Sequence, residues 1–77
     1  MLTNNELDVL EFIELCNKEG RQVDDHVIAR AMGMADLSIH RIVEGLCARD
    51  YVAVIPVYDS HGWLVRNEYR VLKKYMK

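Results

Sequence analysis

The chain has one proline, one tryptophan, one phenylalanine and two cysteines in 77 residues. With a single proline, regular backbone hydrogen bonding is permitted almost everywhere. Cys16 and Cys47 are too few for a disulfide scaffold and lack metal-ligand spacing; each falls on a helix-like segment, where cysteine packs as a small core residue. No apolar run reaches about 18 residues, and the first eight residues carry neither a basic nor an apolar region, so neither export nor a membrane partner is expected and the cytoplasm is the default location. Internal repeats, low-complexity tracts and linkers are also missing. So are a glycine-rich phosphate loop, the histidine pair of zinc hydrolases and a nucleophile elbow. His26, His40 and His61 stand one per element without ligand spacing. The expectation is a protein that is not an enzyme and uses no cofactor or metal.

An excess of positive charge is lacking as well. The formal net charge is −2 and the isoelectric point about 5.8, whereas dedicated nucleic-acid domains often exceed about 9. The charge is segregated, however. Residues 1–25 hold seven acids and two bases, residues 26–50 three of each, and residues 51–77 two acids and five bases. An acidic protein still binds phosphate when its acids lie on the far face, because salt screens fields beyond about 8 Å. With 51% of residues apolar and 29% charged, residues 1–77 read as one small domain whose core is barely large enough to fold alone. Help from a second copy, a homodimer, is expected.

Thr3 to Glu6 matches a capping box, which predicts a helix over 4–18 that buries Leu7, Val9, Leu10, Phe12, Ile13 and Cys16 and ends at Gly20. Asp8, Glu11 and Glu14 fall on its outer face. Arg21 to Val23 reads as a short extended link. The Asp24-Asp25 pair supplies an N-cap and first-turn acid for a second helix over 25–32. A third helix is expected over 36–49, with Gly45 inside it marking either a close approach by another segment or tolerated slack.

After Asp50 the apolar period shortens to two. Tyr51–Tyr58, a turn at Asp59–Gly62 and a second run from Trp63 to Leu72 predict a β-hairpin. Trp63, Val65, Tyr69 and Val71 share one face of its second strand, with Trp63 as a lid over the core. Arg66, Glu68 and Arg70 share the other. Pro56 marks the first strand as a sheet edge or the site of a bulge.

The most informative segment is Ala29 to Leu46. Ala29 is small enough for close helix crossing, and Gly33 four residues later can take the left-handed conformation that ends a helix sharply. Met34, Ile39, Ile42 and Leu46 follow at helical spacing, turning Ser38, His40, Arg41 and Glu44 outward. This is the pattern of a helix-turn-helix, whose second helix enters the DNA major groove.

In order, helix, short strand, two helices and a hairpin, the chain resembles the winged helix-turn-helix superfamily. Over residues 24–72 it is most similar to bacterial repressors of the multiple-antibiotic-resistance regulator type, and Gly33 to Val52 looks like their recognition segment without a gap. Two positions depart from the family pattern: Ala35 replaces the usual Ser or Thr cap, and Asp50 the glycine that ends the recognition helix. The flanking dimerisation helices of larger repressors are absent, so the likeness is to compact phage, plasmid and fimbrial-switch regulators. The resemblance implies an α+β, mainly α, winged helix with a three-helix core and a C-terminal hairpin wing. It further implies a sequence-specific transcription regulator binding double-stranded DNA, with Asp36, Leu37, Ser38, His40 and Arg41 facing the groove and Asp59–Gly62 as the wing tip.

Arg41 is the cation best placed for a base edge or a phosphate. Ser38 and His40 are candidate donors, Glu44 shares their face, and Leu37 suits a thymine methyl, packing beneath the turn or a protein interface. His61 and Arg66 are the cations near the wing tip; Arg66 and Arg70 either cover a phosphate backbone or keep the strand's outer face wet. The tail from Tyr69 to Lys77 is expected to close the sheet and then offer apolar side chains to a second copy. The competing class is a winged helix that docks a partner regulatory protein and never touches DNA.

Overall fold

The structure, a computed structural model, describes residues 2–72. Three helices, α1 (Asn4–Lys18), α2 (Asp25–Met32) and α3 (Asp36–Ala48), precede two strands, β1 (Val52–Tyr58) and β2 (Leu64–Val71). The strands pair antiparallel. The α+β winged helix is therefore the observed architecture.

Local chemistry accounts for the helix bounds. The Thr3 hydroxyl accepts the Glu6 N–H at 3.1 Å and a Glu6 carboxylate oxygen accepts the Thr3 N–H at 2.8 Å, closing the capping box on α1. Asp24 caps α2 by accepting the Val27 N–H at 2.9 Å. Ala35 gives α3 no side-chain cap, and the helix still begins at Asp36. Each helix closes with the same wide turn, in which an N–H two or three residues past the helix end reaches back five residues: Arg21 to Cys16 at 2.9 Å, Met34 to Ala29 at 3.0 Å and Tyr51 to Leu46 at 2.9 Å. That turn demands a left-handed residue, supplied by Gly20, Gly33 and, where a glycine was expected from the resemblance, Asp50 at φ 65°. The third helix ends at Ala48 as a result, one residue before the expected boundary.

The core is formed by Val9, Leu10, Ile13 and Cys16 of α1, Ile28 and Ala29 of α2, and Ile39, Val43 and Leu46 of α3, closed by Val23, Val52 and Tyr69. Each large aliphatic among them contributes roughly 1.5 to 3 kcal/mol of burial. The expected stripes shift slightly. Val43, not Ile42, sits fully inside on α3, because four residues from Ile39 keep a side chain closer to the buried line than three do, and Ile42 packs at the margin. On α1, Leu7 is exposed and Phe12 half-buried, so the buried stripe is narrower than the apolar one.

The short strand expected at Arg21–Val23 does not form. One backbone bond remains, from the Tyr69 N–H to the Val23 carbonyl at 3.3 Å. The neighbouring edge groups of β2 are taken by a side chain: Asn17 of α1 donates to the Tyr69 carbonyl at 3.1 Å and accepts the Val71 N–H at 2.9 Å. An amide carries a donor and an acceptor at the spacing a strand edge requires, so Asn17 replaces the partner strand.

The hairpin register also corrects an expectation. Val57 stands opposite Arg66 and Tyr58 opposite Leu64, leaving Val65 as an extra, bulged residue. The bulge reverses facing beyond it, so Leu64 rather than Val65 continues the face of Tyr69, and Trp63 stands exposed at the tip instead of covering the core. Pro56 is harmless one residue before. The Leu72 N–H bonds the Tyr51 carbonyl, so by alternation the backbone nitrogen of residue 56 points away from β2 and no ladder bond is lost.

Candidate nucleic-acid interface

Helices α2 and α3 meet at Gly33, whose left-handed φ of 66° turns the chain sharply and sets the outer face of α3 toward solvent. Asp36, Leu37, Ser38, His40, Arg41 and Glu44 all stand on exposed surface, as expected. Leu37 is 61% exposed, which rules out packing beneath the turn.

The ionic contacts divide this face. The Asp25 carboxylate, in the first turn of α2, accepts the Tyr69 hydroxyl at one oxygen (2.5 Å) and His40 Nδ1 at the other (2.9 Å). A carboxylate only accepts, so the His40 Nδ1 carries the proton. His40 Nε2 lies 3.6 Å from Glu44, beyond hydrogen-bond distance but within ionic reach. One carboxylate thereby ties α2, α3 and β2 together, and the half-exposed His40 ring is held against that tie. Burial first, and the Asp25 carboxylate next, push the Tyr69 phenol above its ordinary range. His26 of α2 sits 3.5 Å from Asp36, which occupies that acid too. Asp25 and Tyr69 are the two interface residues that sequence reasoning missed. The Asp24-Asp25 pair signalled a helix start, but nothing local in the sequence aims the second carboxylate at a histidine fifteen residues away.

Arg41 is different: among the described residues it makes no ion pair, and the same holds for Arg30 on α2 and Arg70 on β2. Arg49 pairs with Glu6 of α1 and lies over the Tyr51 ring, 5.9 Å from its centroid. Arg66 is held by Glu68, with Nε at 2.9 Å and Nη2 at 2.8 Å from one carboxylate oxygen, and reaches a phosphate only by leaving that partner. At the wing tip the His61 and Trp63 N–H groups both bond the Asp59 carboxylate, at 2.9 and 3.0 Å, which closes the turn and leaves the His61 ring exposed. These five arginines therefore do not form one free basic patch beside α3, and the sixth, Arg21, pairs with Glu19.

Between α3 and the inner face of the hairpin lies an open groove of about 370 Å³, lined by His40, Val43, Glu44, Cys47, Val54, Asn67 and Tyr69. Its floor is apolar and its α3 rim acidic. Burial, with Asp25 and Glu44 nearby, pushes the Cys47 thiol up, and burial does the same to Cys16, so both are packing thiols rather than nucleophiles. Among the described residues no three His, Cys, Asp or Glu side chains converge as a metal set, and no helix is long and apolar enough to cross a membrane.

With this geometry in hand, the solved structures provide a match for the fold. The adhesin competence repressor AdcR of Streptococcus pyogenes superposes with a TM-score of 0.70 over 95% of this chain, at 14% sequence identity. The chain spans about half of that repressor, 48% of its length. No family model and no curated protein matches the sequence. The likeness is one of architecture: helices and hairpin coincide with those of a repressor while most side chains differ.

Proposed function

We propose that this chain is a transcription regulator that binds double-stranded DNA in a sequence-specific way, with α3 in the major groove. The observation that supports this best is Arg41, an unpaired guanidinium on the outer face of a helix-turn-helix, flanked by exposed Ser38 and Leu37, while His40, Arg49 and Arg66 are occupied by carboxylates. A free guanidinium in that position bonds a guanine edge bidentately, Ser38 donates to a phosphate, and Leu37 meets a thymine methyl. Asp36, His40 and Glu44 frame the reading face: the first two are engaged by His26 and Asp25, and Glu44 is available to accept from a cytosine amine. Arg30 supplies phosphate contact from α2. His61 and Arg66 approach the backbone from the wing, Arg66 by exchanging Glu68 for a phosphate. A homodimer working in the cytoplasm fits the small core and the architecture shared with a repressor, and it reads half-sites about 34 Å apart.

The test is binding of Arg41→Ala to duplexes selected from a random pool by the wild-type protein. Loss of about 1 to 3 kcal/mol, with relaxed preference at one base position, is the expected result. Equal affinity of variant and wild type for every duplex refutes the reading.

The exposed Leu37 and the acidic balance favour a second reading, a winged helix that docks a regulatory protein. In that case Leu37→Ser abolishes partner capture while Arg41→Ala leaves it unchanged.

A further inference from the structure

His40 stands between two carboxylates contributed by two helices. Its Nδ1 lies 2.9 Å from Asp25 of α2, and its Nε2 lies 3.6 Å from Glu44, one turn further along α3. The imidazole is half-exposed and Glu44 more so, which leaves both on the outer surface of α3. Behind the ring, the Tyr69 hydroxyl of β2 donates to the second Asp25 oxygen, so that carboxylate is held from two sides. Cys47 shares the groove beside them. Burial pushes the Tyr69 phenol and the Cys47 thiol up, so both stay neutral where an imidazole titrates. On α3 itself, Asp36 one turn before His40 faces His26, and Arg41 is unpaired. Among the described residues these are the charged and titratable groups around the ring; the expected tail beyond Leu72, residues 73–77, lies outside them.

These positions fix what the imidazole can do. With Asp25 accepting, the neutral ring carries its proton on Nδ1, and the bare Nε2 turns a lone pair toward an oxygen of Glu44. Two acceptors then face each other, and Glu44 remains an uncompensated anion on the outer face of α3. A proton from solvent at Nε2 turns the same contact into an ion pair. The imidazolium donates to Asp25 from Nδ1 and to Glu44 from Nε2, and the three side chains together carry one negative charge instead of two. Glu44 keeps its second oxygen for a base amine.

We infer that DNA binding by α3 is coupled to the uptake of a proton at His40, so that the domain holds DNA more tightly in mild acid than in mild base. The inference rests on the DNA reading and adds a regulation to it. Its sign follows from the charges. As pH falls through the range in which histidine titrates, the imidazolium compensates Glu44, one turn from Arg41, on the face that a polyanion approaches. One positive charge gained beside the backbone is worth about 0.9 in log K for each tenfold in salt, or roughly eightfold at about 0.1 M. Linkage makes the effect mutual, so bound DNA favours the protonated ring by the same factor.

The experiment is fluorescence anisotropy of duplexes selected by the wild type, at fixed ionic strength from about pH 8 down to about pH 6, for the wild type, His40→Gln and Glu44→Gln. Circular dichroism verifies each fold over that range, and the exposed Glu44 site keeps the test alive if His40→Gln does not fold. The wild type is expected to bind roughly eightfold more tightly at the acid end. His40→Gln should lose that gain, and the share it loses belongs to His40 whatever His26 and His61 contribute. Glu44→Gln should bind more tightly than the wild type at the alkaline end, with the gap closing in acid. Nitrogen-15 resonances of the His40 ring in the free protein should place its proton on Nδ1 at about pH 8, and a proton on Nε2 there contradicts the arrangement. Equal pH profiles for the wild type and His40→Gln, or a constant ratio between the wild type and Glu44→Gln, overturn the coupling while the DNA reading stands. Failure of the wild type to bind any duplex at any pH overturns the DNA reading and the coupling with it.

Discussion

Glu6 holds the start of one helix and the end of another with one carboxylate. One oxygen closes the capping box at Thr3 and the other meets Arg49, the residue that follows α3. The Thr3 backbone N–H, aided by the Arg49 charge, holds this carboxyl below the ordinary value for glutamate. Because the folded form binds the proton less readily than the unfolded one, the stabilisation is present above the unfolded value and disappears as pH falls through the lower folded value. In urea unfolding, Glu6→Gln is therefore expected to be less stable than the wild type near neutrality, and the gap should close in acid well below 4.5. A gap that stays constant across that range contradicts the assignment. The capping box was legible because its two partners are three residues apart. The Arg49 and Asp25 contacts join residues 43 and 15 apart, and no local pattern announces a pairing that only tertiary packing creates.

Elements were the most legible level, since caps and periodicity are local. Gly20 and Gly33 end helices where the sequence places them, and β1 and β2 fall inside the expected hairpin. The errors came where a side chain or an inserted residue took over a backbone role: Asn17 replaced a strand, and the bulge at Val65 turned Trp63 away from the core. Helix α3 shows how much room the sequence leaves for improvement. A Cβ built on Gly45 meets only the Glu6 carboxylate, at 4.0 Å, so the close approach this glycine suggested is an ordinary contact. Gly45→Ala should raise stability by about 1 kcal/mol, the difference in helix propensity, measured by thermal or urea unfolding. Asp50→Gly should raise it by about 0.5 kcal/mol: relief of the left-handed strain at φ 65° exceeds the entropy that glycine adds to the unfolded chain. If either substitution destabilises, the packing at that end of α3 is misjudged.

For the whole molecule, the question is how an acidic domain holds a polyanion. Sequence segments showed charge running from acidic to basic along the chain, but they did not show which cations were free, because pairing depends on geometry. Arg49 is spent on Glu6 and Arg66 on Glu68, leaving Arg30, Arg41 and Arg70 unpaired among the described residues. Each phosphate neutralised steepens the salt dependence of binding by about 0.9 in log K against log salt, so releasing one further arginine has a countable effect. Glu68→Gln removes the charge that holds Arg66 while keeping the shape of the side chain. Under the DNA reading this variant should bind duplexes more tightly at low salt, with a slope steeper by about one unit per protomer, and Glu68→Gln/Arg66→Gln should return it to the wild-type slope. The measurement is fluorescence anisotropy of a labelled duplex over a salt titration. A slope that does not change in Glu68→Gln places Arg66 away from the phosphates. DNA affinity is then carried by α3 with Arg30 and Arg41.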